Sequence, residues 1–340
     1  MQESYMTPEL NREYPELDDP DVFEHMVGLT VGHMKPISGH FHRAQHAKAT
    51  SCVTAKFCIA DDVPSDLRHG IFSQPGRTFS AIVRLSNSQG TFEKDGAGTA
   101  RGFAIKLLDA VGTRAVPDDG DSSQDFLMMD HPVFPFPDPR AYVETVRRKD
   151  IPLIGDLVAA AHMALLEPKE LMIIRAIKGK HVASPLEIGY WSGTPFWLGP
   201  ASGEGGHAVK YSVVSRQSNR SAPPDHPEDL PSDYLTQAIA TYLKSQEAVF
   251  DFKVQLQTDP VAMPIEDASV EWNESGSEPV HVATVRIAPQ SVDGSGELAA
   301  RCETMSFNPW HALAEHRPMG GINRLRRAVY QASTAKRAGI

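Results

Sequence analysis

Cysteine, positive charge and long apolar runs are all scarce in this chain of 340 residues. The three cysteines, Cys52, Cys58 and Cys302, are odd in number and show no CxxC spacing. Cys52 and Cys58 lie six apart in a strand-like run, so both would point to one face, and we expect two small core residues there. The low cysteine count favours a reducing compartment.

Two further absences narrow the class of protein. No run is long and apolar enough to span a bilayer, and the polar, acidic start of the chain does not resemble a secretory signal. A formal net charge of −10 argues against nucleic acid or an anionic membrane as the main partner. The sequence therefore predicts a cytoplasmic protein.

Strand signals dominate the first half of the chain. Residues 51–60, 78–86, 102–108 and 125–129 are apolar and β-branched, and clusters of Asp, Gly and Pro separate them. Four strands without long helices between them favour an antiparallel meander. Further strands are predicted at 209–215, 249–258 and 280–287.

Helical periods appear in the middle and at the end of the chain. Helices are predicted from Asp138 onward, over 154–166, 167–178 and 233–247, and over 323–337, whereas 185–200 reads as irregular. The sum is an α+β protein: an antiparallel β-barrel of about eight strands with helical insertions and a C-terminal helix. We expect residues 1–30 to form an N-terminal arm and residues 31–340 a single domain.

Residues 41–50 contain the first candidate for chemistry, a basic residue and a histidine three apart, Arg43 and His46. A lone histidine is more often structural than catalytic. One alternative is that His40, His42 and His46 form a non-haem metal site on a β-barrel oxygenase.

Several motifs taken together resemble the haem catalases, and in particular the small catalase-related haem proteins. They are Arg43…His46, Val83-Arg84-Leu85-Ser86, Arg101-Gly102-Phe103-Ala104-Ile105-Lys106, Pro132-Val133-Phe134, Tyr190-Trp191-Ser192-Gly193-Thr194-Pro195, Asn308-Pro309-Trp310-His311, and residues 316–324. The order and approximate spacing match from about residue 30 to residue 337. The resemblance implies a catalase-type barrel with a C-terminal proximal helix and haem b as the cofactor.

The resemblance also implies roles for individual residues. His46 would move the peroxide proton, and Ser86 would fix its imidazole. Tyr330 would be the axial tyrosinate of a ferric haem, assisted by Arg326 one helical turn earlier. Arg43, Arg84 and Arg337 would bind the haem propionates. Phe103 and Phe134 would line the pocket.

Three positions depart from the family pattern. Asp130 stands where catalases carry an amide that holds peroxide, and an ionised carboxylate only accepts hydrogen bonds. We therefore predict that Asp130 faces His46 as a second acid/base or pairs with it, and that dismutation is impaired. Gln45 replaces an apolar residue before His46, and Thr99 replaces an aspartate of the access channel.

These departures predict a haem-dependent peroxidase that uses peroxide to oxidise a small organic substrate. A second hypothesis is rearrangement of an organic or fatty acid hydroperoxide, or oxidation of a dedicated metabolite. The N-terminal arm and the association common in the family are consistent with a homo-oligomer.

Overall fold

A computed structural model describes residues 7–37, 39–117, 122–152, 155–292, 294 and 296–340. In this part of the chain there are eleven strands: β1 (Pro36–Ile37), β2 (His40–Phe41), β3 (Ala49–Ile59), β4 (Thr78–Asn87), β5 (Arg101–Leu107), β6 (Gln124–Met129), β7 (Gly189–Trp191), β8 (Phe196–Leu198), β9 (His207–Ser215), β10 (Ala248–Leu256) and β11 (Val280–Ile287). The helices are α1 (Pro20–His33), α2 (Pro139–Lys149), α3 (Gly155–Leu166), α4 (Pro168–Lys178), α5 (Tyr234–Leu243), α6 (Glu297–Thr304) and α7 (Gly321–Ala338).

Eight of the strands close into an antiparallel barrel, as the sequence predicted. Their order around the ring is β3, β4, β5, β6, β7, β9, β10 and β11, and β11 pairs again with β3. Strand β8 pairs with the start of β9, whereas β7 pairs with a later part of β9. Strands β1 and β2 form a separate hairpin. Closure leaves no long free edge among the eight strands.

Alternation along the strands fills the barrel with aromatic side chains. In β10, Phe250, Phe252 and Val254 are fully buried, and their neighbours in sequence point outward. Phe252 packs against Phe57 and Phe126 with ring centroids 5.0 and 4.8 Å apart. The interior is therefore a packed core with no room for a large ligand.

The helices pack outside this barrel. Asp138 caps α2 by accepting a hydrogen bond from the Ala141 N–H, and Pro139 occupies the first turn. Helix α1 packs through Val22 and Met26 against Leu325 of α7. The N-terminal segment predicted as an arm thus includes a helix that supports the C-terminal one.

Some details differ from the prediction. Helices α1 and α6 were not expected, and the segment predicted to be irregular contains β7 and β8. Cys52 on β3, expected to be a small core residue, is partly buried against a cluster outside the barrel core and forms a disulfide with Cys302 on α6, which the sequence did not predict. Ile154, the predicted start of a helix, lies outside the described residues. No described helix is both long and apolar enough to cross a membrane.

Candidate active site

A cavity of about 570 Å³ lies outside the barrel, between strands β4 to β6 and helix α7. Its position follows from the alternation of side chains along the strands, which point in turn into and out of the barrel. Val83 and Leu85 point into the barrel core, so Arg84 and Ser86 on the same strand point outward and line the cavity. The outer face of the barrel is therefore the floor of the candidate site.

His46 is held at the edge of this floor. Its Nδ1 lies 3.0 Å from the Ser86 hydroxyl, as the sequence predicted, and its backbone N–H donates to the Ser88 carbonyl at 3.0 Å. Its φ of 55° lies in the left-handed region, which side-chain-bearing residues seldom adopt. Nε2 has no hydrogen-bond partner among the described residues, and His46 lines the cavity.

Burial, followed by the charges of Arg84, Arg326 and Arg43, lowers the pKa of His46 to about 3. The imidazole is therefore neutral at neutral pH. If Ser86 accepts from Nδ1–H, Nε2 carries the free lone pair, and the ring can accept a proton inside the cavity.

Helix α7 brings Arg326 and Tyr330 to the same cavity. They are four residues apart, so they share a helix face, and the guanidinium lies 3.4 Å from the Tyr330 hydroxyl. Asn323 holds Arg326 from the preceding turn through its side-chain oxygen at 3.0 Å. Thr194 binds that same oxygen at 3.0 Å. The tyrosine hydroxyl thus lies beside a positively charged side chain that is held in place.

The three arginines that the resemblance assigns to the haem propionates lie together beside Glu303. Arg43 and Arg84 contact the Glu303 carboxylate at 3.1 and 3.5 Å, and Arg337 donates to the Glu303 carbonyl at 2.8 Å. Burial lowers the pKa of Arg43 to about 9, followed by the charge of Arg84. The pKa values of Arg84 and Arg337 are lowered for the same first reason. Three guanidinium groups thus surround Glu303, two at its carboxylate and one at its carbonyl, and the buried Arg84 Nε has no partner in the described chain.

Asp130 is not brought to His46, which corrects the prediction. Leu127, Met128 and Met129 line the cavity, whereas Asp130, which follows the end of β6, is not among the lining residues. One carboxylate oxygen accepts from the Arg101 backbone N–H at 2.8 Å, and the other lies 3.5 Å from the Lys180 ammonium. Asp130 therefore fixes the start of β5 and a nearby lysine.

Phe103 and Phe134 have different positions. Phe103 borders the cavity, but its ring belongs to the barrel core, 5.0 Å from Tyr190 and 5.1 Å from Phe250. Phe103 thus lines the cavity, as expected of a pocket-lining residue, while its ring packs in the barrel core. Phe134 lies in the cavity wall, edge-on to Tyr142 at 5.2 Å.

Gln45, beside His46 in the chain, and Thr99, at the predicted access-channel position, both line the cavity. The metal cluster considered for three histidines is not formed. His40 is exposed on β2, and His42 packs edge-on against Phe92 at 4.7 Å. Among the described residues, no group of potential metal ligands includes these histidines.

Solved structures provide the comparison for this architecture. A fungal catalase superposes with a TM-score of 0.70 at 18% identity, over 100% of this chain and 66% of that one. A bacterial catalase gives a TM-score of 0.67 at 16% identity, over 99% and 63% of the two chains. Catalase A from Saccharomyces cerevisiae gives 0.70 at 16% identity, over 98% and 68%.

The chain has the catalase fold. It spans about two thirds of the length of these catalases. No protein-family model matches the sequence, and no curated protein matches it. At this identity the likeness to catalases establishes the fold, and the chemistry has to be argued from the site.

Two residues of this catalase-fold site were missed from the sequence. A Cβ at Gly102 would lie 2.6 Å from His46 Nδ1 and 2.7 Å from the Ser86 hydroxyl, so only glycine leaves room for this pair. Gly102 stood within a recognised motif, yet nothing local marked its contact. Glu303 gave no signal, because its partners Arg43 and Arg84 are more than 200 residues away in the sequence.

Proposed function

We propose that the chain is a haem-dependent peroxidase, which uses peroxide to oxidise an organic substrate. The observation that carries the proposal is a neutral histidine, His46, whose Nε2 is open to the cavity that also holds the Arg326–Tyr330 pair. A proton acceptor and a phenol beside a guanidinium are the two protein groups that such chemistry needs on either side of an iron porphyrin.

The charges of the site fit a haem. Arg43 and Arg84 contact the Glu303 carboxylate, and Arg337 contacts the Glu303 carbonyl. Three positive charges thus meet one negative charge among the described residues of this cluster, and a haem would bring two propionates. The orphaned Arg84 Nε supplies a buried donor in the same cluster. Tyr330 would hold the iron through its phenolate oxygen, and Arg326 would lie beside that oxygen.

The protein residues have a defined task in this proposal. When bound, a haem supplies reductive cleavage of the peroxide O–O bond. His46 accepts the proton of the hydroperoxide at Nε2 and returns it to the oxygen that leaves, and Ser86 keeps the ring in the required tautomer. In sum, two electrons and two protons pass from the organic donor to the peroxide, which leaves as water, or as water and an alcohol.

The test begins with the absorption spectrum and extracted pigment of the purified chain. We expect one haem b per chain and a spectrum typical of a phenolate ligand, and Tyr330→Phe should lose occupancy or change that spectrum. Tyr242→Phe is the matched control, because Tyr242 lies on α5 and bonds only the Glu247 carbonyl through its hydroxyl.

Peroxide consumption with and without an organic reductant then tests the reaction. We expect consumption to depend on the reductant and the reductant to be oxidised in equal amount. An unaltered Tyr330→Phe spectrum would exclude Tyr330 as ligand. Equal consumption without a reductant would show dismutation and would contradict the peroxidase.

A further inference from the structure

Positively charged side chains outnumber negatively charged ones around the cavity. Among the described residues that line it, six are arginine or lysine and one is a carboxylate, Asp150, which is paired with His33 at 2.8 Å. The chain as a whole carries a formal charge of −10, so this cavity is a local positive region on an acidic protein. Such a field concentrates anions at the opening.

Two of the six cations are not used by the proposed cofactor. Lys149 and Lys178 are the last residues of α2 and α4, far from the three-arginine cluster in the sequence. Both are exposed, and neither ammonium forms a hydrogen bond or an ion pair with the described residues. They are therefore available to a ligand that enters the cavity.

Each lysine follows an apolar helix face that lines the same cavity. On α4, Ile174, Ile177 and Lys178 are spaced i, i+3 and i+4, so they lie on one face. On α2, Val146 precedes Lys149 by three residues and also lines the cavity. On both helices, apolar side chains line the cavity and a lysine ammonium follows at the C-terminal end of the helix.

The end of α4 lies next to the segment that holds His46. The His46 N–H donates to the Ser88 carbonyl, and the Ser88 N–H donates to the Ala100 carbonyl, each at 3.0 Å. A Cβ at Gly98 would collide with the Lys178 carbonyl, so the helix end packs directly on this loop. The apolar face of α4 therefore borders the path to His46.

We propose that the organic substrate is an amphipathic anion, with an apolar body against α4 and α2 and a carboxylate at Lys178. This inference rests on the proposed function, because it takes the cavity as the place where the organic substrate meets His46. An apolar wall that ends in an unpaired ammonium matches a medium- or long-chain carboxylate in both parts.

Binding of dodecanoate to the purified chain with its native cofactor tests the proposal by calorimetry without peroxide. We expect dodecanoate to bind, dodecanol to bind about tenfold more weakly, and Lys178→Glu to weaken dodecanoate binding by about tenfold while leaving dodecanol within about twofold. Arg175→Glu is the matched control: Arg175 is exposed on the same helix and does not line the cavity, so its change should be within about twofold.

Equal weakening by Lys178→Glu and Arg175→Glu would overturn the proposal, as would equal affinity for dodecanoate and dodecanol or no binding of dodecanoate. Peroxidase activity with a small neutral phenol is measured separately on the same preparation. Loss of that activity with anion binding intact would refute the proposed function alone, and the reverse result would refute only the anion site.

Discussion

Two histidines on opposite sides of the barrel wall, the half-buried His46 and the fully buried His316, show what separates a structural from a reactive imidazole. Burial lowers the pKa of both His46 and His316 to about 3. His316 lies inside: its Nε2 accepts from the Ile71 backbone N–H at 3.0 Å, and Nδ1 lies 3.1 Å from the Tyr211 hydroxyl. Both nitrogens of His316 are occupied, whereas Nε2 of His46 is open to the cavity.

The comparison teaches that a strongly lowered pKa does not by itself indicate catalysis. Desolvation produces the same shift in a packed core and in a ligand cavity. The number of unoccupied ring nitrogens, and the space in front of them, distinguish the two histidines. Variants of His46, His316 and their neighbours test this distinction between the two histidines.

The largest effect is expected for His46→Ala. Removing a positioned proton acceptor should lower the rate of peroxide consumption by about 10³-fold. The loss of unfolding free energy should be small, about 1 kcal/mol, because the ring makes a single side-chain hydrogen bond within the described chain, between Nδ1 and the Ser86 hydroxyl. Steady-state rates and thermal melts of the same preparation provide the measurement. Retained activity in His46→Ala would assign the proton transfer to another group.

His316→Ala should show the opposite pattern, with a loss of about 3 kcal/mol of unfolding free energy. The change leaves the buried Ile71 N–H without its acceptor and opens a cavity beside Phe72 and Phe126. Urea unfolding measures the loss, and activity per folded molecule should stay close to that of the wild type. Tyr211→Phe removes only the hydroxyl contact and should cost about 1 kcal/mol. Similar stability of wild type and His316→Ala would mean that His316 is not a structural centre of the core.

The sequence predicted the fold and one half of this comparison. The alternation of Phe250, Phe252 and Val254 identified a half-buried strand, because strand period is a local property. The motif around His46 likewise pointed to Ser86, 40 residues away, and the structure brings the two into contact. Local pattern and motif order were sufficient for both.

What could not be predicted depends on contacts between distant segments. The Cys52–Cys302 disulfide joins residues that are 250 apart in the sequence, so the spacing of the cysteines could not predict it. The direction of Asp130 depends on Lys180 and on the Arg101 N–H, which only the folded barrel brings to it. A motif match aligns positions in a chain, but it does not say which side of the strand a side chain takes.

Acid should destabilise the protein through both histidines. Below pH 6.5 the unfolded chain takes up a proton at each imidazole, whereas the folded chain does not until the pH nears 3. Folding stability therefore falls as the pH falls through this window, by about 2 kcal/mol per histidine at pH 5. Urea unfolding measures the free energy of unfolding at pH 7 and at pH 5. The decrease between the two pH values should be about 2 kcal/mol smaller in His46→Gln than in the wild type. The exposed His25→Gln is the control, and an equal reduction in both variants would contradict the assignment to His46.

The smallest effect is expected for Gly102→Ala. The added methyl group would lie 2.7 Å from both His46 Cε1 and the Ser86 hydroxyl, which is closer than a Cβ atom tolerates. The ring must turn or move, so we expect about a tenfold loss in kcat/KM for peroxide with little change in the spectrum of the cofactor. Gly28→Ala is the matched control, because a Cβ at Gly28 meets no atom within 4 Å. If Gly102→Ala keeps full activity, the orientation of the His46 ring matters less than its open nitrogen, and the distinction from His316 rests on that nitrogen alone.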